Sequence, residues 1–258
     1  MNKTQFLSIN QHVIKDKIVL DLACHIGVST KIIQDLGAKY VYGLEGRENL
    51  VQTALQSVNG NVEFIVGDMT DSAVILPLVK KSQTIVCIGS LYHLYDHFRF
   101  FQYIFQPHVE YCIISTLFGP ESINPEMWWG FENTHDIHNG FYKNLPIIPH
   151  GTPNLSWILN SAKIFGFECD WIHCYGKKVT KAISQITVEE YLSVAGDDWP
   201  PYEDIISGQK LPVFVQQELD QMLHDYPSED RRMILRLYNS KLIKSKPIQL
   251  KENYKWPF

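Results

Sequence analysis

Two carboxylates that end apolar runs, Asp21 and Glu45, are the residues of this sequence best placed to do chemistry. The first run, residues 18–22, is too short for a helix and rich in β-branched residues, as is typical of a buried parallel strand. The second run, residues 40–44, is predicted to be the next strand. In a doubly wound sheet, ligands bind beyond the carboxyl ends of the strands, where the strand order reverses. A carboxylate at the end of the second strand can accept hydrogen bonds from both hydroxyl groups of a ribose. The spacing therefore predicts a nucleoside site.

The turn after the first strand is built from small residues, so that a ligand can approach its backbone. Ala23 and His25 stand where two glycines of a dinucleotide-binding G-x-G-x-x-G would fall. Their presence argues against a pyrophosphate lying on the helix N-terminus, and a nucleoside that carries an amino acid fits better. Ser29 or Thr30 is expected to cap the helix that follows.

Residues 18–45 resemble motifs I and II of the class I S-adenosylmethionine (SAM) dependent methyltransferases, in which motif I usually reads D-x-G-x-G-x-G. Ala23 and His25 depart from that pattern, while Gly27 retains it. Residues 88–97, IGSLYHLYDH, resemble the G-x-LYHL-x-D segment of a subgroup that includes tRNA wobble-uridine modifying enzymes. The likeness covers roughly residues 18–116 well, and residues 149–171 weakly. It implies an α/β fold, a three-layer α/β/α Rossmann-like sheet of seven strands with the last one antiparallel.

The resemblance also implies a SAM cofactor and a place for each of its parts. The predicted cofactor-binding residues are Asp21, Ala23, His25, Gly27, Gly89 and Ser90 around the methionine part, Glu45 with Gly46 at the ribose, and Asp68 with Met69 at the adenine. An aspartate after a strand is also a common helix N-cap, which is the alternative role for Asp68.

Tyr92 and His93 are the predicted catalytic residues, because the family places residues near the reactive methyl after the fourth strand. His93 is the first candidate for a general base or an orienter of the acceptor. A base is needed only when the nucleophile must lose a proton. The alternative is that His93 caps or packs the helix, and that Tyr92 shapes the methionine pocket.

The chain is predicted to consist of a SAM-binding domain at residues 1–186 and an appended helical region with a basic tail at residues 187–258. Residues 118–150 are too aromatic for disorder and are predicted to be an insertion that covers the substrate. The final strands are expected at residues 167–175 and 179–186, forming an antiparallel hairpin. Short helices are expected at residues 188–194, 213–224 and 229–242.

The distribution of charge along the chain does not identify the methyl acceptor. The net charge is −5, yet residues 231–258 hold eight Lys or Arg against one acid, a local +7. This tail either neutralises the acidic body or touches a phosphate backbone. The acidic body favours a small-molecule acceptor, with RNA as the alternative. Rival functions are a non-catalytic SAM-binding subunit that assists a partner and a nucleotide-dependent oxidoreductase on a similar sheet.

Cysteine and histidine usage predicts neither disulfides nor a metal site. The five cysteines form no C-x-x-C pair and are expected to be reduced packing residues. His135 and His138 have unfavourable spacing for metal ligands, and no motif marks a third ligand. With no signal-peptide core and no apolar run of membrane-spanning length, we expect a cytoplasmic protein without a membrane partner.

Overall fold

The computed structural model describes residues 3–118, 124–133, 147–175 and 232–244. Its strands are β1 (Ile18–Leu22), β2 (Tyr40–Glu45), β3 (Val62–Val66), β4 (Thr84–Ile88), β5 (Tyr111–Leu117), β6 (Met127–Asn133), β7 (Ile147–Pro153), β8 (Phe167–Tyr175) and β9 (Arg232–Asn239). Its helices are α1 (Lys3–Ile9), α2 (Val28–Asp35), α3 (Glu48–Ser57), α4 (Ser72–Lys81), α5 (His97–Ile104) and α6 (Leu155–Ile164).

Seven of these strands form one sheet in the order β3-β2-β1-β4-β5-β9-β8. The first five are parallel, and β9 is antiparallel to both of its neighbours. The order reverses between β1 and β4, so the connections leave these two strands toward opposite faces of the sheet. A crevice opens at their carboxyl ends for this reason. The predicted α/β sheet of seven strands with an antiparallel last strand is confirmed.

Apolar side chains cover both faces of the sheet and divide into two clusters of buried residues. One cluster contains Leu20, Cys87 and the aromatic side chains of α5, and the other contains Val19, Val86 and the apolar face of α1. Neighbouring residues of β1 and β4 therefore point into different clusters, as expected for strands buried on both faces. Cys24, Cys87, Cys112 and Cys169 are buried free thiols, as predicted for packing residues.

The predicted helix at residues 229–242 is wrong, because Arg232–Asn239 is the strand β9. Its apolar residues are buried on both faces of the sheet, and it lies between β5 and β8. A short apolar run of this kind is ambiguous until its neighbours are known. This part of the predicted appended region therefore belongs to the main sheet. The predicted strand at residues 179–186 lies outside the described residues, as do the helices at 188–194 and 213–224.

Strands β6 and β7 form a separate antiparallel sheet, with β6 inside the predicted insertion and β7 extending past its end at residue 150. Gly130 lies opposite His150, and Trp129 lies opposite Gly151. We call this pair of strands the β6–β7 sheet. Its inner strand, β7, contacts the turn that follows β4, so the insertion is attached beside the carboxyl end of the main sheet. Within the described part of the chain, no helix has the length and apolar character needed to cross a bilayer.

Candidate functional site

The β1–α2 loop adopts a conformation suited to glycine, although two of its residues are not glycine. The φ angles are 53° at Ala23, 55° at His25 and 85° at Gly27. A non-glycine residue held in this left-handed region costs about 1–2 kcal/mol. The backbone thus keeps the left-handed turns at the motif I glycine positions, even where the side chains differ from the motif.

Gly27 is required for space as well as for its φ angle. A Cβ atom there would lie 3.0 Å from Cζ of Phe64 and 3.1 Å from Cβ of Ala54. The loop can therefore sit tightly against α3 and β3. This packing brings the end of β1 close to the ends of β2 and β3.

Asp21 lies at the end of β1 with no solvent exposure. Its Oδ2 accepts hydrogen bonds from the hydroxyls of Ser29 at 2.8 Å and Thr30 at 2.7 Å. Its Oδ1 makes no hydrogen bond with the described residues. Burial raises the pKa of Asp21 to about 6, and the two hydroxyl bonds offset only part of that effect. The carboxyl group therefore titrates close to neutral pH.

The predicted capping role of Ser29 or Thr30 is wrong. Gly27 occupies the N-cap of α2 and provides no side-chain bond there. The hydroxyls of Ser29 and Thr30 instead donate hydrogen bonds to Oδ2 of Asp21. A buried carboxylate competes strongly for such donors because an unpaired charge in the interior is costly.

Glu45 lies at the end of β2 and is 4% exposed. Its Oε1 accepts bonds from the backbone N–H of Arg47 at 3.1 Å and from Nε of Arg47 at 2.8 Å. Its Oε2 accepts bonds from the backbone N–H of His25 at 3.0 Å and from Nη2 of Arg47 at 3.3 Å. Burial raises the pKa of Glu45, but the bonds and charge of Arg47 and the bond from His25 outweigh it and hold the pKa below its ordinary value.

Asp68 follows β3 and is half-buried, like its neighbour Met69. Its Oδ1 accepts bonds from the backbone N–H and the hydroxyl of Thr70, both at 2.7 Å. The N-cap of α4 is Asp71, whose side chain accepts from the backbone N–H of Ala73 at 2.8 Å. The helix-cap alternative for Asp68 is therefore wrong, and its side chain stays at the carboxyl end of the sheet.

The segment after β4 is a turn followed by a separate helix rather than one continuous helix. Gly89 has a φ of 71° and donates from its backbone N–H to the carbonyl of Ser115 at 2.8 Å. Ser90 is buried, with its hydroxyl 3.2 Å from Sγ of Cys87. A single 3₁₀ turn, Leu91–His93, then presents Tyr92 and His93, and Asp96 caps α5.

Tyr92 and His93 are both half-buried, and their ring centroids lie 4.2 Å apart. His93 lies in the turn before α5, and Asp96 is the N-cap of that helix, so the capping alternative for His93 is wrong. The packing alternative stays a prediction. The side chains belong to the connection that leaves the β4 end of the crevice.

Backbone hydrogen bonds align the strand ends that carry the predicted residues. The N–H of Cys24 donates to the carbonyl of Leu44 at 3.1 Å, and that of Gly67 donates to the carbonyl of Glu45 at 3.0 Å. The β1, β2 and β3 ends therefore lie side by side, with Gly46 in the bend after β2. His135 and His138 lie outside the described residues.

Sequence reasoning missed two partners of the predicted site residues. Arg47 covers Glu45 from only two residues away, and a basic residue so close to a candidate carboxylate was a readable signal. His150 binds the backbone of Tyr92 from β7. No spacing in the sequence connects residues so far apart.

Residues 20–106 match a family model described as a methyltransferase domain. These residues include the ends of β1, β2, β3 and β4 and the turn with Tyr92 and His93. The match covers about a third of the chain and contains every predicted cofactor-binding residue and both predicted catalytic residues. A comparison with curated protein sequences finds no match.

Solved structures share the fold at low sequence identity. An S-adenosylmethionine dependent methyltransferase from Mesorhizobium loti is 14% identical, with a TM-score of 0.54 over 92% of this chain and 97% of that chain. The N-terminal domain of EvdMO1 with SAH bound is 11% identical, with a TM-score of 0.56 over 93% and 81%. The [4+2]-cyclase SpnF is 14% identical, with a TM-score of 0.56 over 92% and 80%. At these identities the likeness establishes the fold.

Proposed function

We propose that this chain, whose residues 20–106 form a SAM-dependent methyltransferase domain, transfers the SAM methyl group to a small-molecule acceptor. One observation carries the proposal. Asp21 and Glu45 lie at the carboxyl ends of β1 and β2, and Asp68 follows the neighbouring parallel strand β3 by two residues. The β1–α2 loop between the first two keeps the left-handed backbone of a glycine-rich turn. This row of carboxylates suits a nucleoside with an amino-acid substituent, and lacks the features of a pyrophosphate site.

The methionine part of SAM is assigned to the β1–α2 loop and to Gly89 and Ser90. Asp21 supplies negative charge below the loop, where the α-ammonium group of an amino acid would be stabilised. Because Asp21 is fully buried, it acts through the field of its charge and through the loop that it holds. The backbone N–H groups of His25 and Gly27 already donate to Glu45 and to the carbonyl of Cys24. The N–H of Ala23 is therefore the candidate for direct contact.

The ribose is assigned to Glu45, on the condition that the Arg47 side chain moves. A carboxylate has about four lone-pair sites, and four hydrogen bonds already fill those of Glu45. The two backbone bonds are part of the fold. The two guanidinium bonds come from a flexible side chain, and a ribose diol could replace them with equivalent geometry.

The adenine is assigned to Asp68 and Met69. Only Oδ1 of Asp68 is used by Thr70, so Oδ2 can accept the exocyclic amino group. Met69 is half-buried and packs against the main apolar cluster, which places a polarizable side chain beside a flat ring.

Bound SAM supplies a methyl carbon already activated by a sulfonium, so transfer is an in-line displacement by a nucleophile of the acceptor. The chain must align that nucleophile and exclude water. When SAM is bound, the lone pair of the nucleophile would form the new bond to carbon, and the electrons of the broken carbon–sulfur bond would remain on sulfur. His93, on the turn after β4, takes the proton that a hydroxyl or amine acceptor would lose. Tyr92, in contact with the His93 ring, shapes the adjoining pocket.

A small molecule is the better-supported acceptor class. The whole chain is acidic, with a net charge of −5. Within the basic segment at residues 231–258, Arg236 already pairs with Asp170, their Nε and Oδ1 atoms lying 2.7 Å apart. Part of the charge that suggested RNA therefore serves the fold, because β9 is a strand of the main sheet.

The second candidate is a SAM-binding protein that transfers no methyl group. The similarity to SpnF supports this second candidate, since that protein is described as a [4+2]-cyclase. The same fold thus occurs in a protein whose described activity is a cyclisation. Cofactor binding and methyl transfer need separate tests for this reason.

Calorimetric titration with SAM, NAD and NADP tests the cofactor, and we expect binding of SAM alone. Methyl-labelled SAM is then incubated with the protein and with separate small-molecule and RNA fractions of a cell extract. Label in the small-molecule fraction, dependent on His93, supports the proposal. Label in RNA overturns the acceptor class, and SAM binding without any transfer supports the second candidate. Binding of NAD or NADP instead would indicate an oxidoreductase.

A further inference from the structure

His150 of β7 contacts the turn that carries both predicted catalytic side chains. It is 7% exposed, and its Nδ1 lies 3.0 Å from the carbonyl oxygen of Tyr92. Since a carbonyl can only accept, Nδ1 carries the hydrogen and donates it, which fixes the tautomer of the neutral ring. The N–H of Gly151, the next residue of β7, donates to the carbonyl of Leu94 at 2.8 Å. Two consecutive residues of β7 thus hold the backbone on both sides of His93.

We propose that His150 is a positioning residue for methyl transfer, which holds the turn at residues 91–93 in the orientation that the acceptor requires. The inference rests on the proposed function and deepens it. In this arrangement the β6–β7 sheet does more than cover the site, because it is bonded to the backbone of the residues that face the acceptor.

The turn is held from β7 in addition to its own backbone hydrogen bonds. The N–H of His93 donates to the carbonyl of Ser90, and that of Leu94 donates to the carbonyl of Leu91, each at 3.1 Å. A single 3₁₀ turn is short and has poor hydrogen-bond geometry. In a displacement reaction, a shift of about 1 Å in a positioning group can cost roughly a hundredfold in rate. A buried donor on the Tyr92 carbonyl limits such shifts.

Gly130 provides the space that His150 occupies. The two residues are opposite each other on β6 and β7, and a Cβ atom on Gly130 would lie 2.5 Å from Nε2 of His150. The φ of Gly130 is outside the left-handed region, so alanine can adopt this backbone without strain. Gly130→Ala would therefore act on the turn through the displaced imidazole.

The test compares His150→Ala with His150→Asn, whose side-chain amide places an N–H close to the position of Nδ1. We expect His150→Ala to lower kcat by roughly tenfold to a hundredfold with little change in the SAM Kd, and His150→Asn to recover most of the loss. His108→Ala is the matched control. The His108 ring likewise binds a backbone carbonyl, that of Val79 at 2.9 Å, but it lies beyond the far end of α5.

A double-mutant cycle separates positioning from general destabilisation. Gly130→Ala should lower kcat in the wild-type background and have no further effect in the His150→Ala background, where the ring that it displaces is gone. Equal effects in both backgrounds would overturn the proposed route through His150. So would a failure of His150→Asn to restore activity.

Hydrogen exchange tests the inference without any acceptor. In His150→Ala, the amides of His93 and Leu94 should exchange roughly tenfold faster while amides of β1 and β4 keep their protection. Unchanged exchange in the turn, or a uniform increase throughout the sheet, would overturn the positioning role. If the wild-type protein transfers no methyl group, the proposed function fails, and the exchange result still decides whether His150 holds the turn.

Discussion

The backbone N–H of His25 donates a hydrogen bond to Oε2 of Glu45 at a distance of 3.0 Å. The bond joins the loop after β1 to the carboxylate that ends β2. His25 has a φ of 55°, so the same residue provides the bond to β2 and one of the left-handed positions of the loop. Glu45 and the β1–α2 loop are therefore one hydrogen-bonded unit, so that changes at Glu45 affect the loop as well.

Glu45→Ala should weaken SAM binding by roughly tenfold or more, since hydrogen bonds to a charged acceptor contribute about 1.5–3 kcal/mol each. Calorimetry measures the change in Kd. Glu45→Gln keeps one acceptor oxygen and should show a smaller loss. Glu63→Ala, an exposed glutamate on β3, is the control for removing a carboxylate. An unchanged SAM affinity in Glu45→Ala would contradict the ribose assignment.

Arg47→Ala should leave SAM affinity unchanged or increase it. Its guanidinium fills two of the lone-pair sites of Glu45, which a ribose diol would need. The same titration measures the effect, with Glu45→Ala alongside to show the opposite result. Binding weakened by roughly tenfold, about 1.4 kcal/mol, would mean that Arg47 supports the cofactor instead of making way for it.

Asp21→Asn should change how stability depends on pH. Burial raises the pKa of Asp21 from 3.8 to about 6, so the folded protein binds the proton more tightly than the unfolded chain. Protonated Asp21 therefore adds to the free energy of unfolding, on the order of 3 kcal/mol. This stabilisation is fully present below pH 4 and is lost as pH rises through 6. Urea unfolding from pH 4 to 8 should show that Asp21→Asn gains stability relative to wild type as pH rises.

Asp16→Asn, at an exposed position, controls for the same change of charge in that experiment. Parallel stability curves for wild type and Asp21→Asn across the whole pH range would refute the assignment of this pH dependence to Asp21.

His93→Ala should lower turnover by about 10²–10⁴ with little change in SAM affinity, as expected for loss of a general base. His93→Gln retains a hydrogen-bonding side chain without a basic nitrogen, so it should be almost as slow. Steady-state kinetics and calorimetry measure the two quantities. A variant that melts early or loses SAM binding would assign His93 to packing.

The strands that lead to the predicted cofactor-binding residues could be predicted because the sequence patterns that indicate them are local. Apolar runs end at Asp21 and Glu45, a mixed segment with Glu63 in it ends close to Asp68, and a glycine lies in the turn after each. A strand buried on both faces needs such a run wherever it lies in the sheet. The places of these three carboxylates could thus be predicted, whereas their hydrogen-bond partners could not.

Local patterns failed where a residue had two possible partners. Ser29 and Thr30 have the residue types of an N-cap, but a buried carboxylate across the loop takes both hydroxyls. Only the distances in the folded protein decide between a capping role and a hydrogen bond to Asp21. Likewise, Asp68 and Asp71 are both plausible caps, and the start of α4 selects Asp71.

By itself, the sequence determined the order of strands and helices from β1 to β5 and the three acidic strand ends, because these depend on hydrophobic runs and turns of neighbouring residues. Tertiary structure decided that residues 232–239 form a strand, because β5 and β8 satisfy its backbone on both edges. It also decided that His150 supports Tyr92, a contact between residues 58 positions apart. Contacts of this kind form only after the chain has brought distant segments together, so no local pattern records them.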